Sequence, residues 1–460
     1  MSMYSMCDVK KSDLFNRLRK ELSNMTICDD HEHLGSEESW LASDCPDWTN
    51  LLGYCMTDLY VAGLPMDDFP FPPNRHECLK ATFGYDITPK VQRGWAEKWN
   101  IVKPYWKYIR HNGAGLVTRR ALQMFFDCDD LTDETVPMIQ EKYKGYHKPG
   151  AYKKFLIDEA KFNHVVTVAL SLEETPATDI IAPLIYSDQF VDVEHRGELY
   201  RVETLADKQV YSLQTYLDAV DTILERYKTM GCIGIKWHVM AYLRTNNFDH
   251  ASFADAEKEF VEILLKPSRG GTGSSSSVGF MNMQNFQNYM IHYLVQKTID
   301  FDWPIQIHAA QLGLSYGGRN TQSEVKNLTD LFLRYPKAKF DMLHCCWPFP
   351  RELHAMAHLF PNVYINPSWV ELLSPELYKS FFKEILTSIP LTKFFGCGPD
   401  QFDPIMSAAY ADRTRELWAT ILEQLITDGT LNEADALFAA KQVLFENPTK
   451  YFKLEDRIIP

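Results

Sequence analysis

Short apolar runs, each closed by a charged residue or a histidine, recur along this chain, and most are separated by stretches of helical spacing. The first covers residues 25–28 and passes into Asp29-Asp30-His31-Glu32-His33. Four later runs end in a similar way: Cys232-Ile233-Gly234-Ile235-Lys236-Trp237-His238, Pro304-Ile305-Gln306-Ile307-His308, Phe340-Asp341-Met342-Leu343-His344 and Phe394-Phe395-Gly396-Cys397-Gly398-Pro399-Asp400. Runs of this length read as buried strands. Residues 162–170, 180–186 and 362–366 have the same character and bring the count to eight. Between them apolar positions recur at helical intervals, as with Leu217, Val220, Ile223 and Leu224 in residues 212–230. Helices are predicted likewise over 253–265, 285–299, 324–335, 351–360 and 375–388. Alternating strand and helix implies a parallel sheet, and eight such units predict an α/β fold of the closed (β/α)8 TIM-barrel kind. In that architecture the C-terminal strand ends share one mouth, so the polar run ends would gather there.

The rhythm is interrupted once. Residues 36–150 are rich in aromatics (Trp40, Trp48, Tyr54, Tyr60, Trp95, Trp99, Trp106) and in helix breakers. Helices are expected over 91–109 and 116–126. The segment is too long for a loop, so it is predicted to be a helical insertion after the first strand, roofing the mouth. A helix over 10–24 leads into the first strand, and helices over 408–427 and 432–447 close the chain. Residues 267–279, dense in Gly and Ser, have little apolar surface to bury and are expected to be mobile and dispensable. The whole of 1–460 is read as a single barrel domain.

Composition narrows the partners. The formal net charge is −14, which argues against nucleic acid, since phosphate binding needs a basic surface. No apolar run approaches the ~20 residues of a membrane span, and the N-terminal stretch lacks a secretory core. The ten cysteines show no Cys-x-x-Cys spacing and read as reduced thiols of a cytoplasmic protein. A small-molecule substrate is expected, and self-association into a homo-oligomer is left open.

The strand ends carry the chemistry. On extended backbone, residues i and i+2 point the same way, so His31 and His33 leave their strand side by side, suited to one ion of zinc or a first-row neighbour. Lys236 and His238 share a parity at another strand end. In the insertion, Arg75-His76 and Arg110-His111 are paired basic residues suited to a substrate carboxylate, which Arg binds bidentately.

Taken in order, Asp30-His31-Glu32-His33, Gly234-Ile235-Lys236 with Ala241-Tyr242-Leu243-Arg244, Pro304 to His308, Leu343-His344, Pro361-Asn362-Val363-Tyr364, the Asp400 run and Asn447-Pro448 resemble the amidohydrolase superfamily, in its amidohydrolase-related branch. The likeness is greatest to the barrel half of nodulin and glutamine-synthetase-linked proteins, with uronate isomerases and metal-dependent decarboxylases as more distant relatives. The resemblance implies that His31, His33, His308 and Asp400 hold a divalent metal, zinc first and manganese next, with one position open. It implies a metal-activated water as nucleophile, with Asp400 as proton shuttle. His344 would polarise a carbonyl, move a proton or bind a second metal. Lys236 would be carbamylated between two metals, or serve as a cation for an anionic substrate beside Tyr242 and Arg244. The expected function is hydrolysis of a C–N or C–O bond. Decarboxylation or uronate-type isomerisation at the same site is the alternative, and a non-catalytic binding barrel a third.

Overall fold

The fold is taken from a computed structural model, which describes residues 11–42, 46–65, 93–193, 195–237, 248–266, 283–310 and 325–457. Arg75, His76, His238, Tyr242, Arg244 and the 267–279 segment lie outside the described residues. The chain divides into two compact units. One comprises the described residues up to Thr167 and those from Asn366 onward; the other is Val168–Ile365.

The first unit is built around β1 (Ile27–Glu32), buried at every position. It runs parallel to β2 (Phe162–Ala169), with Ile27 opposite Phe162 and register shifts between Ile27 and Cys28 and between Asp29 and Glu32. Between these strands in the chain, the described residues carry helices Glu37–Leu41, Cys55–Val61, Trp95–Ile109, Gly113–Phe125 and Thr135–Tyr146. Where it is described, the segment is mostly helical.

The long helix Pro404–Thr427 packs against Asp13–Asn24, Gly113–Phe125 and Pro375–Ile385. Its start is fixed locally: Pro404 sits where a missing N–H costs nothing, and the Asp403 carboxylate accepts from the Ile405 N–H at 3.0 Å. Midway, Arg415 is 2% exposed. Its guanidinium donates to the carbonyls of Leu22, Met25 and Ala160 at 2.9, 3.1 and 2.7 Å. Those carbonyls close the first helix and flank the entries of both strands, so one cation satisfies three carbonyls at segment ends.

The eighth expected strand takes a different form. No residue of 395–400 forms a regular strand, yet the segment lies along β1: Asp30 N–H donates to Cys397 O, and Asp400 N–H to His31 O, each at 3.0 Å. Gly398 is required here, because a Cβ would stand 2.4 Å from Asp30 Oδ1 and 2.6 Å from Ser368 Cβ. Gly396 and Gly398 leave the run few side chains to pack and Pro399 lacks an N–H, which works against a regular ladder. Among the described residues there are therefore seven strands.

The second unit holds the other five, β3 (Ile181–Tyr186), β4 (Gly234–Trp237), β5 (Pro304–His308), β6 (Lys339–Leu343) and β7 (Val363–Ile365), each parallel to the next in chain order. β4 and β5 are buried at every position, the mark of a parallel sheet covered on both faces. Helices Leu213–Thr229, Phe253–Leu265, Gln284–Phe301 and Pro350–Leu359 alternate with the strands, close to the predicted ranges. The architecture is α/β with parallel strands. No described helix is long and apolar enough to cross a membrane.

Candidate metal centre

β1 ends at Glu32, and the register shift at its end re-aims the last side chains. His31 on the strand and His33 just past it project together, their ring centroids 5.2 Å apart at 76°. Their backbones are pinned to the 397–401 segment: His31 O accepts from Asp400, and the His33 N–H donates to Gln401 O at 3.1 Å. Asp400 adopts a left-handed φ of 56°, costly for a residue with a Cβ and sustained only where the surroundings fix it. That turn delivers its carboxylate to the histidines. Oδ1 lies 3.2 Å from His33 Nε2 and 3.7 Å from His31 Nε2.

The three groups have ligand atoms within 4.8 Å of one another. Four ligands at ~2.1 Å around a tetrahedral ion stand about 3.4 Å apart, so the two measured separations fit a shared metal. The surroundings fit as well. Asp29 and Glu32 are fully buried beside the triad. Burial first, then for Asp29 the neighbouring Glu32 and Asp30 carboxylates, pushes both well above the ordinary carboxylate range. A site that crowds acids in low dielectric favours a dication.

Two aromatic side chains complete the centre. The Tyr54 hydroxyl donates to Asp400 Oδ1 at 2.9 Å. Phe402 stacks on His33, 5.0 Å between centroids and 10° from parallel. Tyr54 also meets Phe402 at 5.9 Å and Trp369 at 5.2 Å. Trp369 is itself left-handed, with φ 67°, and its N–H donates to Gly398 O at 3.1 Å. Sequence reasoning placed Tyr54 only within an aromatic segment and did not single out Phe402. Its signal was position: two residues past Asp400, on the side Asp400 occupies if the backbone were extended.

The remaining predicted ligands belong to the second unit. His308 closes β5, and His344 follows β6; both are buried, with His344 Nε2 and His308 Nδ1 3.0 Å apart. His344, Cys345 and Cys346 are consecutively left-handed, at φ 59°, 50° and 51°, a turn that swings the imidazole off the strand direction. One level down, Lys236, Gln306 and Asp341 lie opposite one another across β4, β5 and β6, all fully buried. Gln306 Nε2 donates to Asp341 Oδ2 at 2.8 Å. Lys236 lies inside the sheet layer, and its expected parity partner His238 is outside the described residues. Arg110 ends helix Trp95–Ile109 and is ion-paired with Asp130 at 2.5 Å, while His111 is exposed.

Comparison with known proteins finds likenesses over different lengths of the chain. Residues 219–404 match the family model described as Amidohydrolase. Protein fluG of Emericella nidulans is 26% identical over 156 residues, 34% of this chain but only 18% of that protein. A uronate isomerase of Phenylobacterium zucineum is 22% identical over 98% of this chain and 95% of its own length. The crystal structure of glucuronate isomerase from Caulobacter crescentus superposes with a TM-score of 0.74 at 17% identity, covering 99% of both chains. The amidohydrolase model thus matches residues 219–404, and the fold of the isomerase structure is shared along the whole length of the chain.

Proposed function

We propose that the chain is a metal-dependent isomerase interconverting an α-hydroxyaldehyde and the matching α-hydroxyketone. The observation that carries the reading is the convergence of His31, His33 and Asp400 with the Tyr54 hydroxyl on Asp400. The sequence reading put hydrolysis first. The relative and the solved structure that run along the whole chain are named uronate and glucuronate isomerases, and this moves the preference to isomerisation.

His31, His33 and Asp400 would hold the ion, zinc first and manganese next. When bound, the ion supplies Lewis-acid polarisation of the substrate carbonyl. Asp400 Oδ1 faces both imidazoles and Tyr54, so we assign proton transfer to Oδ2. The proton on the carbon beside the carbonyl passes to Oδ2 and returns to the former carbonyl carbon. The substrate's hydroxyl proton moves to the carbonyl oxygen through the Tyr54 hydroxyl. Arg75, Tyr242 and Arg244 are the proposed partners of a substrate carboxylate. Lys236 is proposed as a cation supporting that charge from within the sheet layer.

The test is incubation of the metal-loaded protein with a panel of uronates in deuterium oxide, followed by proton NMR. Isomerisation with deuterium entering at the carbon beside the carbonyl is expected. Cleavage products carrying solvent oxygen, without isomerised sugar, would return the reading to hydrolysis.

A further inference from the structure

Away from the metal ligands, the first unit holds a cavity of about 360 Å³ at the end of helix Thr135–Tyr146. Three lysines line it, Lys142, Lys148 and Lys154, together with Tyr146. The rest of the lining is glycine, proline and alanine, so no carboxylate faces the space. The backbone leaves it open: a Cβ on Gly145 or Gly150 would meet no atom within 4 Å beyond its immediate chain surroundings. Gly150 is left-handed, at φ 90°, and turns the chain from Pro149 into the helical segment that carries Lys154. Tyr146 is a fixed wall. Its hydroxyl donates to Phe125 O at 2.8 Å, and its ring meets Phe126 and Phe155 edge-on at 5.7 and 5.2 Å.

The charges around this space are unbalanced. The chain as a whole carries −14, and lysines beside the cavity are neutralised, Lys144 by Glu141 and Lys153 by Asp158. Lys142 is paired with Asp127. Lys148 and Lys154 have no carboxylate partner among the described residues, and Lys154 lies 4.2 Å above the centre of the Tyr146 ring. The acids that act on Tyr146 are Asp127 and Glu159. Cations gathered around one concavity repel one another and focus a positive potential into it, which an anion relieves.

We propose that this cavity binds a phosphate monoester of small-molecule size. Lys148 and Lys154 hold its phosphate, Lys142 reinforces them from the edge, and the organic part lies against Tyr146. A phosphate offers three strong acceptor oxygens, and lysine ammonium groups meet them as compact point charges with rotatable donors. The cavity lies at the lower end of the size range of small-molecule clefts, which leaves space beyond the phosphate itself. None of its lining residues takes part in the reaction proposed above, so the site stands independently of that reading.

The test is calorimetric titration of the full-length, metal-loaded protein with phenyl phosphate, inorganic phosphate and phenol, at an ionic strength fixed with chloride. Phenyl phosphate is expected to bind tightest, inorganic phosphate at least about threefold more weakly, and phenol not measurably. Lys148→Ala and Lys154→Ala should each weaken phenyl phosphate by about tenfold or more, the loss of one hydrogen bond to a charged group. The double variant should weaken it by about a hundredfold. Lys144→Ala, outside the lining, should leave it within about twofold. All three side chains are exposed, so melting temperatures should stay near wild type. Equal weakening by Lys144→Ala would mean diffuse attraction and overturn the proposal. Phosphate binding unchanged in the double variant would place it elsewhere, the metal included, and overturn it as well, as would no binding of either phosphate. Inorganic phosphate binding as tightly as phenyl phosphate would overturn the part played by Tyr146 and reduce the ligand to the ion.

Discussion

The two compact units assemble their histidines by opposite means. In the second unit, His308 and His344 come from neighbouring strands β5 and β6, adjacent in sheet order and 36 residues apart, and meet through one hydrogen bond. In the first unit, His31 and His33 meet Asp400 across some 370 positions of chain, and three backbone hydrogen bonds interlock the two segments. The first arrangement needs two neighbouring strands and the left-handed turn at His344. The second needs the 396–401 segment to be held against β1 by Gly398 and by the left-handed residues Asp400 and Trp369. The His308–His344 pair shares one ring-nitrogen contact at 3.0 Å, whereas the triad brings three ligand atoms within 4.8 Å of one another. The contrast teaches that convergence of ligands, rather than their residue type, marks the metal centre.

The sharpest way to break the contrast is to neutralise the carboxylate of the triad. Asp400→Asn keeps its size and removes the base, so turnover should fall by roughly 10²–10⁴-fold. The melting temperature should stay near wild type, since Asn tolerates the left-handed φ. Unchanged turnover would remove Asp400 from the mechanism.

Gly398→Ala attacks the interlock instead. The new Cβ cannot fit between Asp30 and Ser368 without displacing backbone, and overpacking of this kind costs about 2–3 kcal/mol. Denaturant unfolding should show that loss together with weakened metal binding. Stability kept at the wild-type level would mean the segment is looser than its hydrogen bonds indicate.

In the second unit, Gln306→Leu removes the amide that donates to the buried Asp341 carboxylate. Loss of a hydrogen bond to a charged group costs about 1.5–3 kcal/mol, and Gln306→Glu should cost at least as much. Metal affinity is expected to change less than in Gly398→Ala, which sharpens the distinction between the two regions.

The smallest effect concerns Glu371, fully buried two residues after Trp369. Its carboxylate accepts from Arg413 Nε at 3.1 Å and Thr414 Oγ1 at 3.0 Å. Burial outweighs both partners and raises it from near 4.5 to about 7. The folded state thus binds a proton that the unfolded state releases, so this group's contribution to stability falls as pH rises from about 4.5 to about 7. Glu371→Gln should flatten the stability profile in that window; an unaltered slope would assign it to another group.

Much of this was legible in the sequence, and the reasons differ by element. Strands β3 to β7 and their helices follow from apolar runs and helical spacing, because a parallel sheet buried on both faces writes itself as apolar runs. The His-x-His pair was legible because strand parity is fixed by backbone geometry alone. The 394–400 segment was misread as a regular strand: its apolar start has strand character, but the Gly-x-Gly-Pro that follows decides the outcome. Tyr54 and Phe402 were illegible as site residues, since nothing local ties a tyrosine 21 residues after His33 to an aspartate 346 positions later. Arg415, too, reads as an ordinary helix cation until its three carbonyl partners are seen.

The account turns on the triad, and metal binding tests it most directly. The full-length protein, stripped with chelator and titrated with zinc or manganese, should take up about one equivalent at the triad. His31→Ala should weaken that binding by more than about a hundredfold, beyond the loss from removing an outer partner. His344→Ala should change it less than about tenfold, with circular dichroism unchanged in both variants. A His31→Ala protein that binds metal as tightly as wild type would contradict the central claim.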